Sequence, residues 1–232
     1  IKSGETLYRA SAVQQDLQLF LDEDQAANTS DQLGKTRAFL EIQHGLHKNI
    51  SIGTSVSSIP SPRGNHQNYL GMNIGGFIGP FAGRIDAVRD LSKGWAGKIS
   101  VQTSFGGVSL LGDHSRYYDF SSEQVSDTSD PLLHKSNLRL DGIARVPFIP
   151  HVPYSFKLSD EYRASGKNQI TAENRASMAV GAAALTNSLS WLLLDDVGTS
   201  TSTVTGSATL GGSIYDVRLR GQIAYSLDEE RD

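Results

Sequence analysis

The sequence predicts an all-β chain, folded as an antiparallel up-and-down transmembrane β-barrel of roughly 12 strands or as a segment of a larger barrel. Three observations point there. Apolar and polar residues alternate with period 2 along many segments. The breaks between segments are alternately short and long. The polar positions inside the segments carry charges of both signs.

Bulk composition agrees. The 232 residues are 38% hydrophobic, with 23 glycines and abundant Ser and Thr, which suits strands and turns better than helices. A net charge of −4 argues against nucleic acid as a partner. The absence of cysteine removes disulfides, thiolate metal sites and a Cys nucleophile. The chain opens at Ile1 without a charged and then apolar leader; either a signal was removed or, the favoured expectation, this is a piece of a longer protein.

The elements follow in order. Residues 1–35 are expected to hold an opening strand and a linker, the strand over 11–21 with Leu17, Leu19 and Leu21 on one face. Residues 36–227 read as a meander of about six hairpins. Ala38, Leu40, Ile42 and Leu46 alternate with polar neighbours, pause at 47–49, and resume as Ile50, Ile52, Thr54 and Val56. Leu70, Met72 and Ile74 oppose Gly71, Asn73 and Gly75, and Gly79-Pro80 breaks that run. Ile85 and Ala87 oppose Arg84 and Asp86, and Ile99, Val101, Thr103 and Phe105 oppose Lys98, Ser100, Gln102 and Ser104. Gly106-Gly107 offers a tight turn, because Gly reaches positive φ without steric cost. The same alternation marks 108–120, 136–146, 153–163, 168–182, 189–193, 203–211 and 214–227, the last being the strongest. Short breaks are expected near 149–152, 185–187 and 211–213, and longer ones near 59–68, 91–95, 121–135, 164–167 and 195–202. A helix over 180–194 is the alternative for that stretch, which is rich in Ala and Leu.

The polar positions supply the candidate functional residues. Glu41, Gln43, Arg84, Asp86, Arg139, Asp141, Lys157, Glu161, Glu173, Arg175, Asp216, Arg218 and Arg220 are expected to face a wet lumen, and those from Arg139 onward to form cross-strand ladders. Tyr69, Phe105, Tyr154, Trp191, Tyr215 and Tyr225 are expected on the apolar face as interfacial aromatics. Segments of this length exceed a typical globular strand and suit a tilted bilayer crossing. Apolar runs such as 179–185 are too short for a membrane helix, but a barrel strand needs only every second residue apolar. A soluble sandwich with a charged outer face is the alternative.

Chemistry-bearing clusters are weak. His44 and His47 lack further metal ligands at a convincing spacing. Asp113-His114-Ser115 and Ser159-Asp160-Glu161 lie on expected strands with no nucleophile elbow. The acidic, Ser-rich stretch 119–130 lacks the order of a calcium loop. The chain therefore reads as a non-enzyme without cofactor or metal.

One resemblance is specific. Gln43-His44-Gly45-Leu46 followed by Asn49-Ile50-Ser51-Ile52-Gly53 resembles a hairpin of fimbrial outer-membrane ushers. Residues 1–9 (IKSGETLYR) resemble the segment after the plug domain of that family, and Asn68-Tyr69 with 70–76 and 83–86 resemble the strands after the hairpin. The resemblance implies a bacterial outer-membrane barrel, with the lipid bilayer and chaperone-delivered pilus subunits as partners, and a role in secretion and assembly of those subunits. The alternatives are a stand-alone channel for small solutes and a soluble β-rich adhesion or carbohydrate-binding domain.

Overall fold

In the computed structural model, residues 1–14, 36–60, 66–120, 129–146, 149–180, 183–196, 198–214 and 217–231 are described. They form β1 (Thr6–Gln14), β2 (Thr36–His47), β3 (Ile50–Pro60), β4 (His66–Ile78), β5 (Phe81–Asp90), β6 (Trp95–Phe105) and β7 (Val108–Tyr118). β8 (Leu132–Val146), β9 (Ile149–Arg163), β10 (Asn168–Val180), β11 (Ala183–Asp196), β12 (Thr199–Ile214) and β13 (Val217–Arg231) follow. The described residues contain no helix, and 183–194 lie in a strand. The strands form one antiparallel sheet in sequence order, β1 to β13.

Among the described residues the pairing order runs from β1 to β13, and no β1–β13 pair is described. Thirteen antiparallel strands in simple succession leave the first and last running the same way. A seam between them would have to be parallel, unlike the antiparallel pairing of the rest of the sheet.

The chain divides into two compact units: Ile1–Ile99 with Ser115–Pro131, and Ser100–His114 with Leu132–Asp232. In the first unit, register carries the alternation across strands. His44, Ile52, Ile74 and Ile85 stand opposite one another in one row, and Ile42, Thr54, Met72 and Ala87 in the next. Their large apolar side chains are mostly exposed, Ile74 by 45% and Met72 by 66%. Among the described residues of this unit, no second layer covers them. The other face carries Glu41, Ser55 and Gly71 in one row and Gln43, Gly53, Asn73 and Asp86 in the next.

The second unit repeats this chemistry. Leu138, Leu158, Ala172, Trp191 and Val204 form a row on one face. Arg139, Lys157, Glu173, Ser190 and Thr205 form a row on the other. On the apolar face, the Tyr154 ring lies over Gly142, where an added Cβ would fall 2.6 Å from its Oη. Tyr225 covers Gly206 in the same manner. The bare glycine leaves a shallow seat and the ring shields its backbone. Tyr154→Ala is expected to lower stability by about 0.2–1 kcal/mol, the worth of one cross-strand pair. Chemical denaturation checks it, and no change would show that the ring contributes nothing there.

Several expected boundaries move. β1 starts at Thr6 and its description ends at Gln14, so residues 15–21 of the expected first strand lie outside the described residues. The short breaks expected at 149–152, 185–187 and 211–213 are in strand, because β9 starts at Ile149, β11 at Ala183, and β12 runs to Ile214. Pro153 misplaces the first, since it pairs with Ile143 inside β9. The β9–β10 register begins at Tyr154, so Pro153 sits where one side of β9 is locally an edge and its missing N–H is tolerated. The long break expected at 195–202 is also mostly strand. Asp195 pairs with Ser200 and Asp196 with Thr199, since threonine supports extended backbone well enough to carry β12 to its turn. The 91–95 and 164–167 breaks are tight turns, closed by Asp90 N donating to Gly94 O and Arg163 N to Lys167 O, both at 2.9 Å.

Candidate functional site

The polar face of each unit gathers most of the candidate residues. In the first unit, β2 presents Glu41 and Gln43 two residues apart, hence on one side of the strand. Gln43 Nε2 donates to Glu41 Oε1 at 2.6 Å, and Arg9 Nη1 on β1 reaches Glu41 Oε2 at 3.5 Å. Glu41 is 7% exposed, and these two donors offset part of the cost of burying its carboxylate. β5 repeats the spacing: Arg84 Nε donates to both Asp86 oxygens at 2.8 and 3.0 Å. Asn73, opposite Asp86, lies over Gly53 together with the Gln43 stem. Gly53 is the position in that row where a side chain would displace its neighbours.

Near the other end of this face, Tyr69 is 5% exposed and pairs with Asp90. It sits beside Gly71 and Asn73, opposite Leu70 and Met72, so the expectation of Tyr69 on the apolar face is wrong. Phe120 explains its burial, with ring centroids 5.6 Å from Tyr69 and 6.3 Å from Tyr117. Asp119 has φ of 47°, a conformation rare for a non-glycine residue, at the step between β7 and Phe120. Tyr69 Oη donates to Gln67 Oε1 at 2.9 Å. Asp90 Oδ1 accepts from Ser92 N and Oγ at 2.8 and 2.7 Å, which shapes the turn after β5.

In the second unit, the polar face of β8, β9 and β10 holds alternating ion pairs. Lys135 pairs with Glu161 directly across strands. Arg139 Nε donates to Asp141 Oδ2 at 2.6 Å. Lys157 Nζ lies 3.6 Å from Glu173 Oε2. Asn137 connects two strands, donating to Asp113 Oδ1 and accepting from Ser159 Oγ, both at 3.0 Å. Hydroxyls continue this face outward: Ser177 bonds Thr186 at 3.1 Å and Ser188 bonds Ser207 at 2.7 Å. Arg175 lies among them, opposite Ser155 and Ser188. A cleft of about 840 Å³ opens here, lined by residues that include Arg139, Asp141, Ser155, Arg175 and Ser177.

The remaining candidates separate. Arg220 stands opposite Gly211 and is exposed; Arg218 stands opposite Ser213 in the register. Asp216 and Tyr215 lie outside the described residues. Asp113 bonds Asn137 on the polar face, whereas its neighbour His114 bonds Ser136 at 2.9 Å. Adjacent strand residues point to opposite faces, so Asp113 and His114 form no hydrogen-bonded dyad. Among the described residues, no three His, Asp or Glu side chains group to hold a metal.

Arg9, Lys135 and Asn137 also join these polar networks, although the alternation alone does not mark them as candidates. Lys135 fell in an expected loop and Arg9 before the expected first strand. A parity count from Glu161 or Glu41, with the register known, finds both.

No protein family matches the chain, and no curated protein matches it either. The likeness to fimbrial ushers therefore rests on the residues quoted for it.

Proposed function

We propose that this chain forms wall strands of a bacterial outer-membrane β-barrel of usher-like type, through which chaperone-delivered pilus subunits are secreted and assembled. The observation that carries the reading is the uncovered apolar face. Rows such as Ile52, Ile74 and Ile85 are exposed in the first unit, and Leu138 and Leu189 in the second. Among the described residues the buried hydrophobics are Tyr69, Leu132 and Val152. In water such a face favours association, whereas acyl chains cover it without a protein partner. Internal backbone pairing from strand to strand meets the requirement that a bilayer sets. The charged and hydroxyl-bearing faces suit a wet lumen. A further strand next to β13 would keep pairing antiparallel, which agrees with a segment of a larger barrel.

The test is extraction and migration on gels. The protein is expected to need detergent for solubility and to migrate differently before and after boiling. A monomer that stays in solution without detergent overturns the reading. Conductance in planar bilayers without any binding of chaperone–subunit complexes favours a small-solute channel instead.

A further inference from the structure

We infer that the polar face of the second unit carries an oxyanion site centred on Arg175, which takes a carboxylate or phosphate group. The inference goes beyond the barrel reading and does not depend on what covers the apolar face.

Charge pairing in the cleft singles out Arg175. Two guanidinium groups and one carboxylate line it, from Arg139, Arg175 and Asp141. Asp141 is taken: it binds Arg139 Nε at 2.6 Å and is hydrogen-bonded by Ser155. Glu173, two residues before Arg175 and on the same face, lies 3.6 Å from Lys157. Both nearby acids therefore have cations already. Among the described residues Arg175 has no ion-pair or hydrogen-bond partner, and it is exposed to the cleft.

The surroundings suit an oxyanion. Arg175 stands directly opposite Ser155 and Ser188, and Ser177 follows two residues on. Ser155 gives its proton to Asp141, whereas the Ser177–Thr186 and Ser188–Ser207 pairs each keep one hydroxyl proton free to turn to a group bound by the guanidinium on strands about 4.8 Å apart. A guanidinium presents two parallel N–H groups, which match the paired oxygens of a carboxylate or phosphate. No unpaired acid stands beside it to repel the ligand. A volume of about 840 Å³ admits more than a bare ion, so the anionic group can belong to a larger solute or peptide.

The experiment is isothermal titration of the full chain, in detergent micelles or in buffer as its solubility dictates. Inorganic phosphate is one titrant. A short peptide with a free C-terminal carboxylate is the other, and the two arms separate the sources of the oxyanion. Saturable binding is expected with at least one of them. Arg175→Gln is expected to weaken it at least tenfold, with circular dichroism showing the strand content retained. Arg84→Gln, which removes a paired cation from the other unit, is expected to leave it unchanged. Arg175→Lys keeps the charge without the fork and is expected to weaken it several-fold. Absence of saturable binding in the unsubstituted protein, or equal affinity after Arg175→Gln and Arg175→Lys, overturns the proposal.

Discussion

On the proposed barrel reading, Ile74→Lys is expected to cost up to about 2–4 kcal/mol of folding stability in a bilayer, the range for a cation at the midplane of a lipid-facing strand. The same change is expected to fall within about 0.5 kcal/mol in water, because Ile74 is 45% exposed and fills no core. Ile74 lies between Ile52 and Ile85 in its row, so a lysine there would stand among apolar neighbours on both sides. Few substitutions separate two environments so cleanly. Denaturant unfolding from lipid vesicles measures the first value; where the protein stays in solution without detergent, unfolding from buffer measures the second. A loss in neither setting argues against a lipid-covered face. A loss in water alone argues that a protein surface covers it.

Gly94→Ala is expected to destabilise the first unit by about 1–3 kcal/mol, the usual cost of forcing atoms into filled space. An added Cβ at Gly94 would run into the main-chain oxygen of Tyr118 and the main chain of Asp119. Main chain cannot swing aside as a long side chain can, so the turn after β5 or the end of β7 has to shift. Phe120 follows directly, and its packing on Tyr69 would be disturbed with it. Gly83→Ala is the control. Nothing lies within 4 Å of a Cβ there, and the backbone needs no positive φ. Thermal unfolding of the two variants compares them. Equal midpoints would show that Gly94 is not held by that close approach.

Much of the fold was legible because side-chain direction in a strand is local. Glu41 with Gln43, Arg84 with Asp86, and Arg139 with Asp141 share a face simply because each pair is two residues apart. The candidate face could therefore be drawn up before any pairing was known. Tyr69 shows the opposite hazard. Its parity with Gly71 and Asn73 was readable, yet its aromatic character suggested the apolar side. What buries it is Phe120, from a different strand end, and no period within β4 signals that contact. Arg175 carries a related lesson. Its face was readable, but its lack of a partner depends on Lys157 reaching Glu173 and Arg139 reaching Asp141.

The sequence alone established the extended backbone, the antiparallel class and the composition of two unlike faces, since alternation is a property of each strand by itself. Only the assembled sheet set the rest: which rows meet, where β9, β11 and β13 begin, and how Phe120 folds onto Tyr69. Those features depend on register, and register comes from cross-strand packing and turn geometry between residues far apart in the chain. A shift of a few residues in a turn leaves every local pattern intact and changes every partner.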